Sequence, residues 1–64
     1  MNKIKEIREA QGMTQTELAA RAMVSQPYIH DLENNNRGAK RDTLERIANA
    51  LGVSVDELTE EKAG

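Results

Sequence analysis

The stretch TQTELAARAMVSQPY contains two helix-start signals separated by only eleven positions. Thr14, followed three residues later by Glu17, forms a capping box, in which a hydroxyl and a carboxylate satisfy backbone N–H groups at a helix N-terminus. Ser25 is an N-cap residue, and Pro27 stands in the first turn after it, where a missing N–H costs little. The interval between the two signals accommodates only a short helix, Gln15–Ala22, and a tight joint.

This joint constrains how the two helices meet. It is too short for antiparallel packing, so the helices must cross at a steep angle, as in a helix-turn-helix. Ala19 has a small side chain that lets the second helix approach the first, and Val24 can fill the gap between them. The N-terminal end of the second helix then projects outward. In a helix-turn-helix that end enters the DNA major groove, while the first helix crosses the backbone.

The rest of the chain also has the apolar spacing of helices, and no long segment alternates with the period of two that a strand needs. Gly12 and Gly52 are expected to end the first and fourth helices, because glycine readily adopts the conformation past a last turn. Asn2 is the expected N-cap of the first helix, and Ser54 with Glu57 forms a second capping box. The predicted elements are a first helix over Asn2–Gln11, a second over Gln15–Ala22, a third from Ser25 to the Asn34–Asn36 run, a fourth over Asp42–Leu51 and a short fifth after Ser54.

The apolar positions of these helices are sufficient for one small core. The expected core residues are Ile4, Ile7, Leu18, Ala19, Val24, Ile29, Leu32, Leu44, Ile47, Ala48, Leu51, Val53 and Leu58. A chain of 64 residues buries only about 60% of the surface that it exposes when unfolded, so stability depends on this core or on a partner subunit. The prediction is one all-α domain over residues 1–64, with a compact five-helix fold whose last residues, about 60–64, fray.

Composition narrows the class of protein. The chain has no Cys, which excludes disulfides and thiolate metal sites and fits a reducing compartment. Charges occur throughout the first eleven residues and all apolar runs are short, so neither a signal peptide nor a membrane span is predicted, and the expected location is the cytoplasm. His30 is the only His, and no Gly-rich phosphate loop is visible. The sequence therefore argues against an enzyme, a metal site, a cofactor or a small-molecule substrate.

Net charge alone argues mildly against a nucleic-acid partner, because it is −2 at pH 7. Its distribution is more informative. Residues 1–46 carry eight Lys or Arg and seven Asp or Glu, whereas residues 47–64 carry one Lys and four Asp or Glu. The segment NNNRGAKR contains three cationic residues and no acid, so a positive edge is compatible with a protein that is negative overall.

Taken in order, these motifs resemble the lambda-repressor-like (Cro/C1-type, XRE) family of helix-turn-helix domains. TQTELAARAMVSQPYIHDLENN is similar to the family's second and third helices, IKEIREAQGMTQ to its first, and LERIANALGVSVDEL to its fourth and fifth. The resemblance covers residues 3–58. It implies a double-stranded DNA-binding domain in which the third helix reads base edges.

The resemblance also implies roles for individual residues. Gln15 matches a phosphate-contacting Gln at a helix N-terminus, a position that favours anions, and Gln26 can offer a donor and an acceptor to adenine. Asp31 either accepts from cytosine N4 or is an ordinary exposed acid, and Pro27 either contacts a thymine methyl or only starts the helix. The DNA-binding residues implied by the family are Gln15, Ser25, Gln26, Pro27, Tyr28, Asp31, Asn34, Asn36, Arg37 and Lys40, and Arg8 with Glu33 matches an ion pair that braces the first helix against the third.

Two positions depart from the family pattern. Met23 stands where Gly is usual, because the joint requires a positive φ, and a Met in that conformation costs on the order of 1 kcal/mol. Either the joint is reshaped or the strain is tolerated. Asn35 also stands where Gly is common, and Asn is the residue that best substitutes for Gly in the left-handed region.

The resulting hypothesis is a sequence-specific DNA-binding transcriptional regulator. The resemblance favours a repressor. We expect it to bind a palindromic operator as a homodimer, because a lone domain of this size rarely gives enough specificity and half-sites one helical turn apart match a two-fold dimer. The acidic region around the fifth helix is either the dimer surface or a solvated helix face. The alternative is a protein-interaction module, such as an antitoxin or an adaptor, that uses the same fold. Binding to random duplex DNA at low salt distinguishes the two.

Overall fold

The computed structural model describes residues 3–35 and 38–59, and the described residues form five α-helices and no strand. This confirms the all-α, five-helix prediction. The second helix was predicted with both of its ends correct, and the ends of the other predicted helices differ by up to two residues. The helices are α1 (Ile4–Ala10), α2 (Gln15–Ala22), α3 (Gln26–Asn34), α4 (Arg41–Leu51) and α5 (Val55–Thr59).

The predicted capping residues begin three of these helices. Thr14 Oγ1 accepts from the Glu17 N–H at 3.0 Å, and Glu17 Oε1 accepts from the Thr14 N–H at 3.2 Å, which completes the capping box of α2. Ser25 Oγ accepts from the Tyr28 N–H at 3.2 Å at the start of α3. Ser54 and Glu57 form the second box, with distances of 3.1 and 3.2 Å. These bonds satisfy backbone donors that a helix cannot satisfy internally.

Two other helix starts differ from the prediction. The N-cap of α1 is Lys3 rather than Asn2, which lies outside the described residues. Helix α4 begins at Arg41, one residue earlier than predicted, and its N-cap Lys40 makes no side-chain capping hydrogen bond. The segment before α4 lacks a Ser, Thr, Asp or Asn at the cap position, so its start has no sequence signal of the kind that marks α2 and α3.

The end of α3 corrects a further expectation. Asn35 has φ of −110° rather than a left-handed φ. Its backbone N–H donates to Asp31 O at 2.9 Å and its Nδ2 donates to Asp31 Oδ1 at 2.8 Å. These two bonds to the residue one turn earlier hold Asn35 at a negative φ, so the left-handed prediction was wrong here. Asn36 lies outside the described residues.

The joint between α2 and α3 retains the conformation that the family requires despite its Met. Met23 has φ of 60° and ψ of 45°, and it is the non-Gly residue with positive φ in the part of the chain described. The Val24 N–H donates to Ala19 O at 2.9 Å and the Met23 N–H to Ala20 O at 3.3 Å, which closes α2. The strain is therefore tolerated and the joint is not reshaped. The Met23 side chain gains little burial in return, because it is 75% exposed.

The five helices enclose one core. Helix α2 packs against α3 and α4, α5 packs against α4 and α1, and α1 also contacts α3. A backbone hydrogen bond of 2.7 Å from Lys3 N to Leu58 O joins the two ends of the fold. Most predicted core residues are buried, while Ile7, Val24, Leu44 and Val53 are half-buried. The buried apolar residues are Ile4, Leu18, Ala19, Ala22, Ile29, Leu32, Ile47, Ala48, Leu51 and Leu58.

Residues 3–35 and 38–59 lack two kinds of feature. None of the helices there has the length and apolar character needed to cross a membrane. The same residues contain no cluster of His, Asp or Glu that could hold a metal ion.

Candidate nucleic-acid interface

The N-terminal turn of α3 presents polar groups at the protein surface. The Ser25 cap and Pro27 are exposed, whereas Gln26 and Tyr28 are half-buried. Tyr28 packs against the hydrophobic core, so part of its ring supports the fold and is not available to a ligand. The turn lacks charged side chains, and its accessible groups are hydroxyl, amide and pyrrolidine.

Gln26 is held by the first residue of α2. Its Nε2 donates to Gln15 Oε1 at 2.7 Å. Both glutamines stand at the first position of a capped helix, and the packing of α2 against α3 brings these two helix starts together. The sequence predicted a DNA contact for each glutamine separately, and the hydrogen bond between them was missed.

A second hydrogen bond connects this pair to the expected ion pair. Gln15 Nε2 donates to Glu33 Oε1 at 3.0 Å. Glu33 in turn accepts from Arg8 through two bonds, Nε to Oε2 at 2.7 Å and Nη2 to Oε1 at 3.0 Å. The remaining arm of the guanidinium, Arg8 Nη1, donates to Met13 O at 2.7 Å. We refer to Arg8, Glu33, Gln15 and Gln26 as the polar chain.

The inner end of the polar chain is buried. The side chains of Arg8 and Glu33 are 9% and 0% exposed. Burial raises the pKa of Glu33, but the hydrogen bonds from Arg8 and Gln15 and the charges of Arg8 and Lys5 more than offset it, so that the pKa lies below its ordinary value. The hydrogen bond to Glu33 likewise raises the pKa of Arg8, against the opposing effect of burial. The pair is therefore fully ionised at neutral pH.

An open groove lies beside the N-terminal turn of α3. It has a volume of about 630 Å³ and is lined by Tyr28, Gly38, Ala39, Lys40 and Thr43. Lys40 is exposed and precedes the first residue of α4, so a cation and the backbone N–H groups of a helix start border the same groove. Both features favour an anion such as a phosphate.

Other residues implied by the family lie further along α3 or beyond it. Asp31 is half-buried and accepts from Asn35 Nδ2, and Asn34 Nδ2 donates to His30 O at 3.0 Å. The Asp31 carboxylate is thus engaged within its own helix in the protein without DNA. Asn36 and Arg37 lie outside the described residues.

Two interhelical contacts were not predicted from the sequence. Arg46 Nε donates to Ala22 O at 3.0 Å, and its Nη1 lies 3.0 Å from Asp42 Oδ2. Gln11 Nε2 donates to Leu51 O at 2.7 Å. The carbonyls of Ala22 and Leu51 belong to the last residues of α2 and α4 and have no partner within their own helices, so these two bonds satisfy them. The spacing of Asp42 and Arg46 is a visible signal for their own ion pair, but it does not predict the bond to α2.

Comparison with known proteins gives several matches over this region. The profile of the family described as Helix-turn-helix matches residues 4–58. The immunity repressor protein of Bacillus phage phi105 is 37% identical over 60 residues, which cover 94% of this chain and 42% of the repressor. The chain thus spans less than half the length of that relative.

Solved structures agree with the sequence matches. SinR, the master regulator for biofilm formation, in complex with DNA has a TM-score of 0.78 and 33% identity, with 83% of this chain and 86% of that chain covered. The N-terminal DNA-binding domain of SinR from Bacillus subtilis has a TM-score of 0.79 and 33% identity, with 97% and 91% covered. Because the family profile spans all five helices and the fold agrees, the chain belongs to the lambda-repressor-like, XRE-type helix-turn-helix family.

Proposed function

We propose that this chain is a sequence-specific double-stranded DNA-binding transcriptional regulator that inserts the N-terminal turn of α3 into the major groove. The observation that carries the proposal is the Gln15–Gln26 hydrogen bond, which joins the N-terminal ends of two packed helices at the protein surface. It holds an amide donor and acceptor at the position from which a helix-turn-helix reads base edges. Gln26 would pair with adenine through N6 and N7.

Affinity in this proposal comes mainly from the backbone of the DNA. Phosphate contacts position a protein on the duplex, and base contacts specify the sequence. Lys40 and the start of α4 face the groove beside Tyr28, and Gln15 stands at the start of α2. We assign these groups, together with Ser25, Asn34, Asn36 and Arg37, to the phosphates that flank the bases read by α3.

The finer proposal is a repressor that binds a palindromic operator as a homodimer. Its support is the repressor relative and the small size of one domain, because a dimer doubles the number of base contacts that a single α3 can make. The half-buried Val53 and Val55 leave apolar surface around α5, and we place the dimer contact there. The acidic side chains of α5, Asp56 and Glu57, would then face away from the DNA.

Selection of bound sequences from a random duplex pool tests the proposal. A dimer of this kind enriches an inverted repeat whose half-sites lie about 10 base pairs apart. Enrichment of a single half-site would overturn the proposal of a dimer and would still support sequence-specific DNA binding. Absence of binding to any duplex at low salt would overturn the DNA-binding function and favour the protein-interaction module, since nonspecific phosphate attraction is strongest there.

A further inference from the structure

The hydrogen bonds of the polar chain run in one direction: Gln26 donates to Gln15, and Gln15 donates to Glu33. The buried carboxylate of Glu33 determines this direction. An ionised carboxylate has no proton to donate, so Glu33 can only accept. Because Glu33 Oε1 lies 3.0 Å from the Gln15 amide, the group of Gln15 that faces it must be Nε2. The opposite orientation would place two oxygens with negative partial charge in contact.

The direction continues to the surface. With Nε2 turned toward Glu33, Gln15 presents Oε1 to Gln26, and Gln26 must answer with its own Nε2 at 2.7 Å. Gln26 then has its Oε1 and its second N–H available for a base. That combination matches the donor and acceptor of adenine, whereas guanine presents two acceptors at the same edge.

We propose that Glu33 is a positioning residue for base recognition: its buried negative charge fixes the amide orientation of Gln26 through Gln15, and so selects adenine over guanine. The inference rests on the proposed DNA-binding function. Glu33 touches no base itself, because its side chain is fully buried. Arg8 contributes by holding Glu33 ionised and in place through two hydrogen bonds.

The substitution Glu33→Gln is expected to remove this fixed direction, so that a part of the molecules adopts the reverse one. Arg8 has only donors and reaches both carboxylate oxygens, so the new NH2 group must face one of them: at the Oε1 position it loses the bond from Arg8 Nη2, and at the Oε2 position it loses the bond from Arg8 Nε. When the NH2 group is at the Oε2 position, the amide oxygen still accepts from Gln15 Nε2 and the direction is unchanged. When the NH2 group is at the Oε1 position, it faces Gln15, which turns its oxygen inward and its Nε2 toward Gln26. Gln26 answers with Oε1 and presents two N–H donors outward, the pattern that suits guanine.

The first measurement uses the protein without DNA. Side-chain amide resonances of Gln15 and Gln26, assigned with Gln15→Met and Gln26→Ala, report which NH2 group is hydrogen-bonded. In the natural chain both groups should show slowed hydrogen exchange. In Glu33→Gln the protection of Gln26 should fall while that of Gln15 remains, because the reverse direction leaves the Gln26 NH2 group without its acceptor. Unchanged protection of Gln26 would overturn the inference. Glu6→Gln removes an exposed carboxylate from α1 and serves as the charge control.

The second measurement uses duplexes selected from the random pool. The base pair at which Gln26→Ala loses its preference identifies the position that Gln26 reads. At that position the natural chain should prefer adenine over guanine by about tenfold to a hundredfold. Glu33→Gln should reduce this ratio to within about threefold or invert it. In the Gln26→Ala background, Glu33→Gln should leave the ratio unchanged.

Gln15→Met is a second variant that tests the inference if Glu33→Gln fails to fold. The Met breaks the polar chain but leaves Arg8 and Glu33 paired. It too should reduce the adenine preference. An adenine preference retained in either folded variant would overturn the positioning role. Failure of the natural chain to bind any duplex would instead reject the proposed function, whereas the amide measurement would still report on the polar chain.

Discussion

Arg8 Nε lies 2.7 Å from Glu33 Oε2, and Arg8 Nη2 lies 3.0 Å from Glu33 Oε1, which makes a two-bonded ion pair between α1 and α3. Parallel bonds of this kind are stronger and more directional than a single contact. Removal of one partner from a buried pair leaves an uncompensated charge in a region of low dielectric. The pair therefore joins the stability of the fold to the position of α3.

Arg8→Met should lower the free energy of unfolding by about 3 kcal/mol or more, because Glu33 would remain buried without its cation. Chemical denaturation monitored by circular dichroism measures the loss. Arg41→Met is the matched control, since its pair with Glu45 is long, at 3.4 Å, and exposed. That variant should lose less than about 1 kcal/mol. Equal losses in the two variants would contradict a special role for the buried pair.

Stability should fall in acid because of Glu33. Its pKa in the folded state is lower than the ordinary value of 4.5, so the folded state binds this proton less readily than the unfolded state. The resulting stabilisation is complete well above pH 4.5 and is lost as the pH falls through the lower folded-state pKa. Denaturation midpoints from pH 7 to pH 2 should decline less steeply in Glu33→Gln than in the natural chain. Parallel curves would assign the acid sensitivity to other carboxylates.

Met23→Gly should raise the free energy of unfolding by about 1 kcal/mol, because glycine removes the cost of a Cβ in the left-handed region. The exposed Met side chain contributes little packing that could be lost. Met23→Ala removes the same side chain but retains the Cβ, so it should give no such gain. Thermal unfolding of the three proteins separates the backbone effect from the side-chain effect. Equal stability of the Gly and Ala variants would show that the left-handed backbone of Met23 carries no such cost.

Local signals in the sequence predicted the helices well. Thr14 with Glu17, Ser25 and Ser54 each mark a helix start through a hydrogen bond within four residues, and such bonds require no knowledge of the rest of the fold. The sequence left open whether Met23 would be left-handed or the joint reshaped, and the structure shows a left-handed Met23, because the short joint imposes its backbone on the residue that stands there. Where the local signal was absent, as before α4, the predicted boundary was one residue late.

The polar contacts between helices could not be predicted to the same extent. Gln15 and Gln26 are recognisable as first-turn residues, but their mutual bond depends on the crossing angle of α2 and α3 and on two side-chain rotamers. The bond from Arg46 to Ala22 O depends in the same way on how α4 lies against α2. The prediction of a left-handed Asn35 was wrong because its bonds to Asp31 hold it at a negative φ. Such contacts depend on how the helices pack together, and the spacing of residues along one helix does not predict that packing.

Gln26 and Lys40 should affect DNA binding in different ways if one reads bases and the other contacts phosphate. Gln26→Ala should weaken binding to the selected operator by about 1–3 kcal/mol and leave binding to random duplex nearly unchanged. Lys40→Ala should weaken both and reduce the slope of log affinity against log salt by about one. Fluorescence anisotropy across a salt series on both duplexes measures these quantities. Equal losses on the two duplexes would remove Gln26 from base reading, and an unaltered salt slope would remove Lys40 from the phosphate contacts.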